Sequence, residues 1–364
     1  MNLEQHLRAS NNRPTGFDYL RVVLSIAIIG WHTVLVCYGK ELENQLWASP
    51  IRPLIFFLVP SFFALSGFLV AGSLVRNDLP TFLTLRGIRI YPALAIEAVL
   101  SAFLLGPIVT ALPLNEYFQD SEFRSYLLNV IGYVHYHLPG VFLDNPGGRS
   151  VNEQLWTIPY ELECYVTLAI LALVGLTRHP KKFLGLLCAV TLFILAYQIY
   201  YSKFPPASAR PPGRMTVLAF LFGAAIYFLK DKIPHSKFAF AAAIGACVLI
   251  FQFPEANYLA PFPVAYATIY MGSLNPPKGL VTRLADYSYG LYLYGFPVQQ
   301  TLAHLLPQAR EWYINLPLSV MCALILSAIS WHFVEKPIMD RRSKATKFVQ
   351  NACAPFKARL GMRS

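Results

Sequence analysis

Residues 17 to 38 read FDYLRVVLSIAIIGWHTVLVCY, an apolar run long enough to cross a bilayer as a helix, yet carrying Asp18, Arg21 and His32. An ionisable group inside a spanning helix costs about 2.5–3.5 kcal/mol at the bilayer centre, so its presence points to function. Arg21 and His32 are eleven residues apart, about three helical turns, and so share one face at a separation of about 16 Å. One stripe of this helix presents a guanidinium near its start and an imidazole deeper in. Imidazole accepts and returns a proton near neutrality, which suits a general base; a hydrogen-bonded core histidine is the plainer alternative. Asp18 also has two readings, a catalytic carboxylate or a structural partner for Arg21.

Similar runs recur at 52–75, 90–112, 155–177, 183–201, 215–229, 238–253, 257–274, 285–306 and 314–335. Composition agrees: 55% of residues are hydrophobic and 13% charged, where a soluble domain carries roughly 25% charge. The expected fold is an all-α, polytopic integral membrane bundle of about ten transmembrane helices. A net charge of +11 does not indicate nucleic acid, because the Lys and Arg side chains concentrate in short loops and in the tail. Placing both termini in the cytoplasm puts most of the 30 Lys and Arg residues on that side, as the positive-inside rule requires. The chain divides into a cytoplasmic segment (1–16), a transmembrane domain (17–336) and a basic cytoplasmic tail (337–364) facing membrane lipids. The first span is expected to be retained rather than cleaved as a signal. The six cysteines form no CxxC pairs or Cys/His ligand spacing, so neither disulfides nor a metal site is expected.

Charge enters the membrane at three further places. Arg86 and Arg89 lie in a basic loop just before the third run, on the same side as Arg21, and three arginines suit a phosphorylated ligand; snorkelling to headgroups is the alternative. Glu161 and Glu163, in LWTIPYELECYV, cannot share a helix face. Glu161 is the one assigned to a cavity, one turn from Tyr165, against a structural pairing with an arginine, and Trp156 sits at the rim, where an interfacial anchor is the plainer reading. The run DYSYGLYLYGFPVQQ offers Tyr289 and Tyr292 for binding an acceptor, against simple tyrosine packing. Residues 113–154 contain no clear span and read as a lid or binding element, with 125–137 re-entrant or interfacial.

These stretches, in this order, resemble the acyltransferase 3 family of integral membrane O-acyltransferases that modify surface carbohydrates. FDYLR followed by WH resembles its first-helix motif, FFALSGFLV its Ser-Gly-Phe motif and RGIRIYP its Arg-x-x-Arg element. LWTIPYELECY resembles the Trp…Glu…Tyr motif, SYGLYLYGFPV the late Tyr-rich motif and HFVEKP the terminal Glu-x-Pro. One position departs: many members have His where this chain has Gly295. The resemblance implies acyl transfer, often acetyl from acetyl-CoA, to a carbohydrate hydroxyl, in a bacterial inner membrane. It would give Arg21, Arg86, Arg89 and Ser66 to the acyl-CoA donor, His32, Glu161 and Asp18 to catalysis, and Trp156, Tyr165, Tyr289 and Tyr292 to the acceptor. A carrier or flippase is the rival reading, since intramembrane charge also marks transport paths. The sequence leaves the oligomeric state open.

Overall fold

The computed structural model describes residues 1–206 and 209–359. Among them there is no β-strand; the principal helices are α1 (Leu3–Ala9), α2 (Gly16–Trp47), α3 (Arg52–Arg76), α4 (Leu79–Leu100), α5 (Ile158–Leu173) and α6 (Pro180–Tyr201). They continue with α7 (Gly213–Phe228), α8 (Lys237–Ile250), α9 (Pro261–Ser273), α10 (Ser288–Leu305), α11 (Trp312–Ser330) and α12 (Arg342–Arg359). Every apolar run of the sequence is helical. Among the described residues five helical segments are long and apolar enough to cross a membrane: Gly16–Trp47, Arg52–Arg76, Leu79–Val109, Pro180–Tyr201 and Trp312–Asp340. The protein is thus an all-α integral membrane protein.

Three boundaries differ from expectation. The first helix does not end with its apolar run at Tyr38: Gly39, at φ 84°, kinks the chain in the left-handed region and the helix resumes to Trp47. Only glycine enters that region without a Cβ penalty. The third apolar run begins at Leu79, because the Asp78 carboxylate caps the helix by accepting from the Thr81 amide at 3.3 Å and a proline sits in the first turn. Arg86 and Arg89 therefore lie on α4, not in a loop. The tail, expected only to be basic, forms α12, and Gln350 there donates to Asp78 and Thr81 at the start of α4. Residues 360–364 of that tail lie outside the described residues.

The bundle core runs between α3 and α7, where Gly67 and Gly223 each meet backbone of the other helix. In a membrane, where lipid is as apolar as leucine, close approach at small residues is what holds helices together. At the end opposite α1, the segment 113–154 folds on its own core of Tyr117, Phe123, Tyr126, Val141 and Phe142. It contains the short helices Leu114–Gln119 and Ser121–Tyr126, then a 3-10 turn at Leu127–Ile131 where a re-entrant stretch was expected. A π-helical turn at Ser101–Leu105 anchors it, with Tyr117 donating to the Ala102 carbonyl at 2.7 Å. Beside that turn buried Glu97 accepts from Ser101 at 3.0 Å and from Asn152 at 3.3 Å.

Candidate active site

One cavity of about 390 Å³ opens among α2, α3, α4, α5, α10 and the residues following α11. Arg21, Arg86 and Arg89 all line it. Arg86 and Arg89 are three residues apart on α4, hence on one face, and α2 brings Arg21 to the same space. The buried Nε of Arg86 has no hydrogen-bond partner among the described residues. An unsatisfied buried guanidinium donor is costly, and an anion would relieve it.

Sequence reasoning missed four more residues of this region. Asp286, Trp331 and Arg342 line the cavity, and Glu335 sits 3.5 Å from Arg89. A second π-helical turn, Trp331–Glu335, creates this arrangement. Ser330 donates to the Glu335 carboxylate at 3.2 Å, while the Arg89 guanidinium lies over the rings of Tyr289 (5.5 Å) and Trp331 (5.8 Å). The sequence carried Glu335 within HFVEKP and Asp286 at the head of DYSYGLYLYGFPVQQ, without a partner for either.

Glu161 faces the cavity and accepts from the Tyr165 hydroxyl at 2.5 Å; Ser66 and Tyr165 share that wall. Glu163 points away and pairs with Arg214 at the surface. Two residues apart near the start of α5, the two carboxylates are sent to different sides. Tyr292 also lines the cavity, but its hydroxyl donates to the Gln154 carbonyl at 2.7 Å and lies 2.6 Å from Thr157 Oγ1. It holds the 3-10 turn Glu153–Thr157 that leads into α5. Tyr289, on the cavity wall, donates to the Ile90 carbonyl at 3.3 Å.

Three predicted residues lie off the cavity. His32 is half-buried, four residues beyond the cavity-lining Ile28, with its ring edge-on to Phe296 at 5.2 Å. It has no hydrogen-bond partner among the described residues, so Glu161 does not orient it; that carboxylate is engaged by Tyr165. Asp18 forms no ion pair with Arg21 and does not line the cavity. Trp156 is covered by the Arg210 guanidinium, 4.7 Å from its ring centre, and packs on Tyr160 outside the cavity. At Gly295 a Cβ would lie 2.7 Å from Ile29 Cγ1, so α2 and α10 approach too closely here for a side chain as large as histidine.

Comparison with known proteins gives the family. A family model described as an acyltransferase domain matches residues 15–334. The O-acetyl transferase of Shigella phage Sf6 is 28% identical over 292 residues, covering 78% of this chain and 84% of its own length. Nodulation protein 10 of Rhizobium leguminosarum bv. viciae is 26% identical over 371 residues, covering 92% and 95%. The peptidoglycan O-acetyltransferase OatA of Listeria monocytogenes is 23% identical over 393 residues, 92% of this chain but 57% of its own. No solved structure matches. With the family match spanning most of its length, this chain belongs to the acyltransferase 3 family and is a membrane acyltransferase.

Proposed function

We propose that the protein transfers an acyl group, acetyl in the first instance, from cytoplasmic acyl-CoA to a hydroxyl of an extracytoplasmic or lipid-linked carbohydrate. The observation that carries this reading is the convergence of Arg21, Arg86 and Arg89 on one cavity that also contains Glu161. Fixed guanidinium forks suit the phosphates of a nucleotide. The cavity volume of about 390 Å³ falls within the usual range for small-molecule sites, about 300–1,000 Å³. In this reading the phosphates stay at the arginine end, and the pantetheine arm carries the thioester past Ser66 and Glu161. The carbonyl then has to reach one turn beyond Ile28, about 6 Å along the helix, to meet His32.

His32 takes the proton of the acceptor hydroxyl as the oxygen attacks the thioester carbon. The new C–O bond forms, the C–S bond breaks, and the imidazolium returns its proton to the departing thiolate. Ser66, a hydroxyl on the same wall, is the donor for the developing oxyanion, while Glu161, already receiving the Tyr165 proton, orients the acceptor. Asp18 supplies counter-charge to Arg21 from outside the cavity.

The same reading places about ten spans in a bacterial inner membrane with both termini cytoplasmic. Residues 17–336 are then the catalytic domain, between the cytoplasmic segment 1–16 and the lipid-facing tail 337–364. Two of the three relatives described above carry O-acetyl transferase or O-acetyltransferase in their names, which favours acetyl.

Mass spectrometry of surface glycans from cells with and without the protein tests the reading. An acetyl mass difference on one glycan is the expected result, lost in His32→Ala. If the purified protein binds no acyl-CoA, the donor-site argument fails.

A further inference from the structure

At the level of His32, α2 and α10 are joined by contacts that the chemistry above does not use. Gln299, fully buried on α10, donates from Nε2 to the Ile29 carbonyl at 3.0 Å and to Thr33 Oγ1 at 2.7 Å. Those partners lie three residues before His32 and one after it, so a single amide brackets the turn that carries the imidazole. One turn back on α10, the Phe296 ring stands edge-on to His32, with an interplanar angle of 88°. Gly295 beside it permits the close approach to Ile29. Gln299 is itself tied to α11: Asn315 donates to its backbone carbonyl at 3.2 Å, and Ser319 donates to Asn315 Oδ1 at 3.1 Å.

Packing alone does not call for these bonds. The Ile29 carbonyl lies in the interior of a helix, where the Thr33 amide already serves it. It also receives the Thr33 hydroxyl at 3.0 Å, so the glutamine donor is additional. An apolar side chain would fill the same space between two membrane helices without burying an amide, whose desolvation is unfavourable unless its bonds are made. One end of this amide has its partners; the other, Oε1, is buried without one among the described residues. A group retained under those terms fixes a geometry.

We propose that Gln299 is the positioning residue of His32: it locks the register of α10 on α2, so that Phe296 holds the imidazole in one orientation. The inference rests on His32 acting as the base.

The test uses membrane vesicles from cells that carry the natural acceptor, containing the full-length protein and supplied with labelled acetyl-CoA. Gln299→Met keeps the side-chain length and removes the amide. Its kcat should fall on the order of tenfold to a hundredfold, the scale of misplacing a catalytic group. The KM for acetyl-CoA should stay within twofold, and the melting temperature of the purified protein should stay near the parent value, because the arginine end is untouched. Phe296→Leu should have a similar effect, and the double variant should be no worse than the more severe single, as for two residues acting through one group. Unchanged kcat in Gln299→Met would overturn the proposal, as would multiplicative effects in the double variant. A parallel loss of kcat, donor affinity and melting temperature would assign the residue to stability alone and overturn it too. His32→Ala separates the two levels. If His32→Ala still transfers acetyl, the reading of the base fails; if it is inactive while Gln299→Met is fully active, only the positioning role fails.

Discussion

At the scale of single residues, the pair Glu161 and Glu163 separates site from surface. Glu163 pairs with Arg214, and the two side chains are 32% and 64% exposed, a setting in which an ion pair contributes about 0–1 kcal/mol. Glu163→Gln is therefore expected to leave acetyl transfer within twofold of the parent. Glu161→Gln, altering the carboxylate that faces the cavity, should lower it at least about tenfold, because the group that orients the acceptor is lost. Initial rates of label incorporation decide between them. The arginines predict a binding effect instead. Hydrogen bonds to charged groups contribute about 1.5–3 kcal/mol each, so Arg86→Ala or Arg89→Ala should weaken CoA binding by about ten- to a hundredfold in a calorimetric titration. A change below twofold in both would remove the phosphate from this end of the cavity.

At the scale of helices, the contact between α2 and α10 sets what the site can contain. A Cβ at position 295 would lie 2.7 Å from Ile29, so Gly295→His has to force the helices apart. Overpacking of this kind costs about 1–3 kcal/mol. A lowered melting temperature together with reduced transfer is expected; a stable, fully active Gly295→His variant would show that this helix contact does not shape the site. The two π-helical turns have the complementary role of adding a residue where a regular helix would have continued. One carries Trp331 and Glu335 to the arginines, and the other receives the outer segment at Ala102. Such bulges are common at functional sites.

At the scale of the whole molecule, the end that carries α1 is closed by an imidazole stack. His6 and His235 lie 3.7 Å apart with nearly parallel rings, His235 stacks on Tyr270, and its Nε2 is 3.0 Å from Ser273 Oγ. Burial pushes the His235 imidazole below its ordinary value of 6.5, and positive charge on His6 and the amino terminus adds to this. A lowered pKa means that the fold favours neutral His235. The unfolded chain takes up a proton first as pH falls, so stability is fully present above about 6.5 and declines below it until the folded imidazole also protonates. The melting temperature should drop between pH 7 and pH 5, and His235→Asn should flatten that dependence. Equal slopes in parent and variant would assign the acid sensitivity to other groups.

The sequence by itself determined that the chain is a helical membrane protein, because runs of about twenty apolar residues leave the backbone no other way to satisfy its hydrogen bonds in lipid. It also placed Arg21, Arg86, Arg89 and Glu161 among the residues of interest, since buried charge is expensive enough to be noticed without coordinates. Only the tertiary structure decided which of these share a space. It brought the three arginines and Glu161 to one cavity, left His32 one turn beyond it, and gave Trp156 to Arg210. Asp286, Glu335 and Gln299 stood inside stretches that the sequence singled out, yet their partners were not legible there, for the same reason. A polar side chain acquires its role from the partner that faces it, and those partners come from helices far apart along the chain.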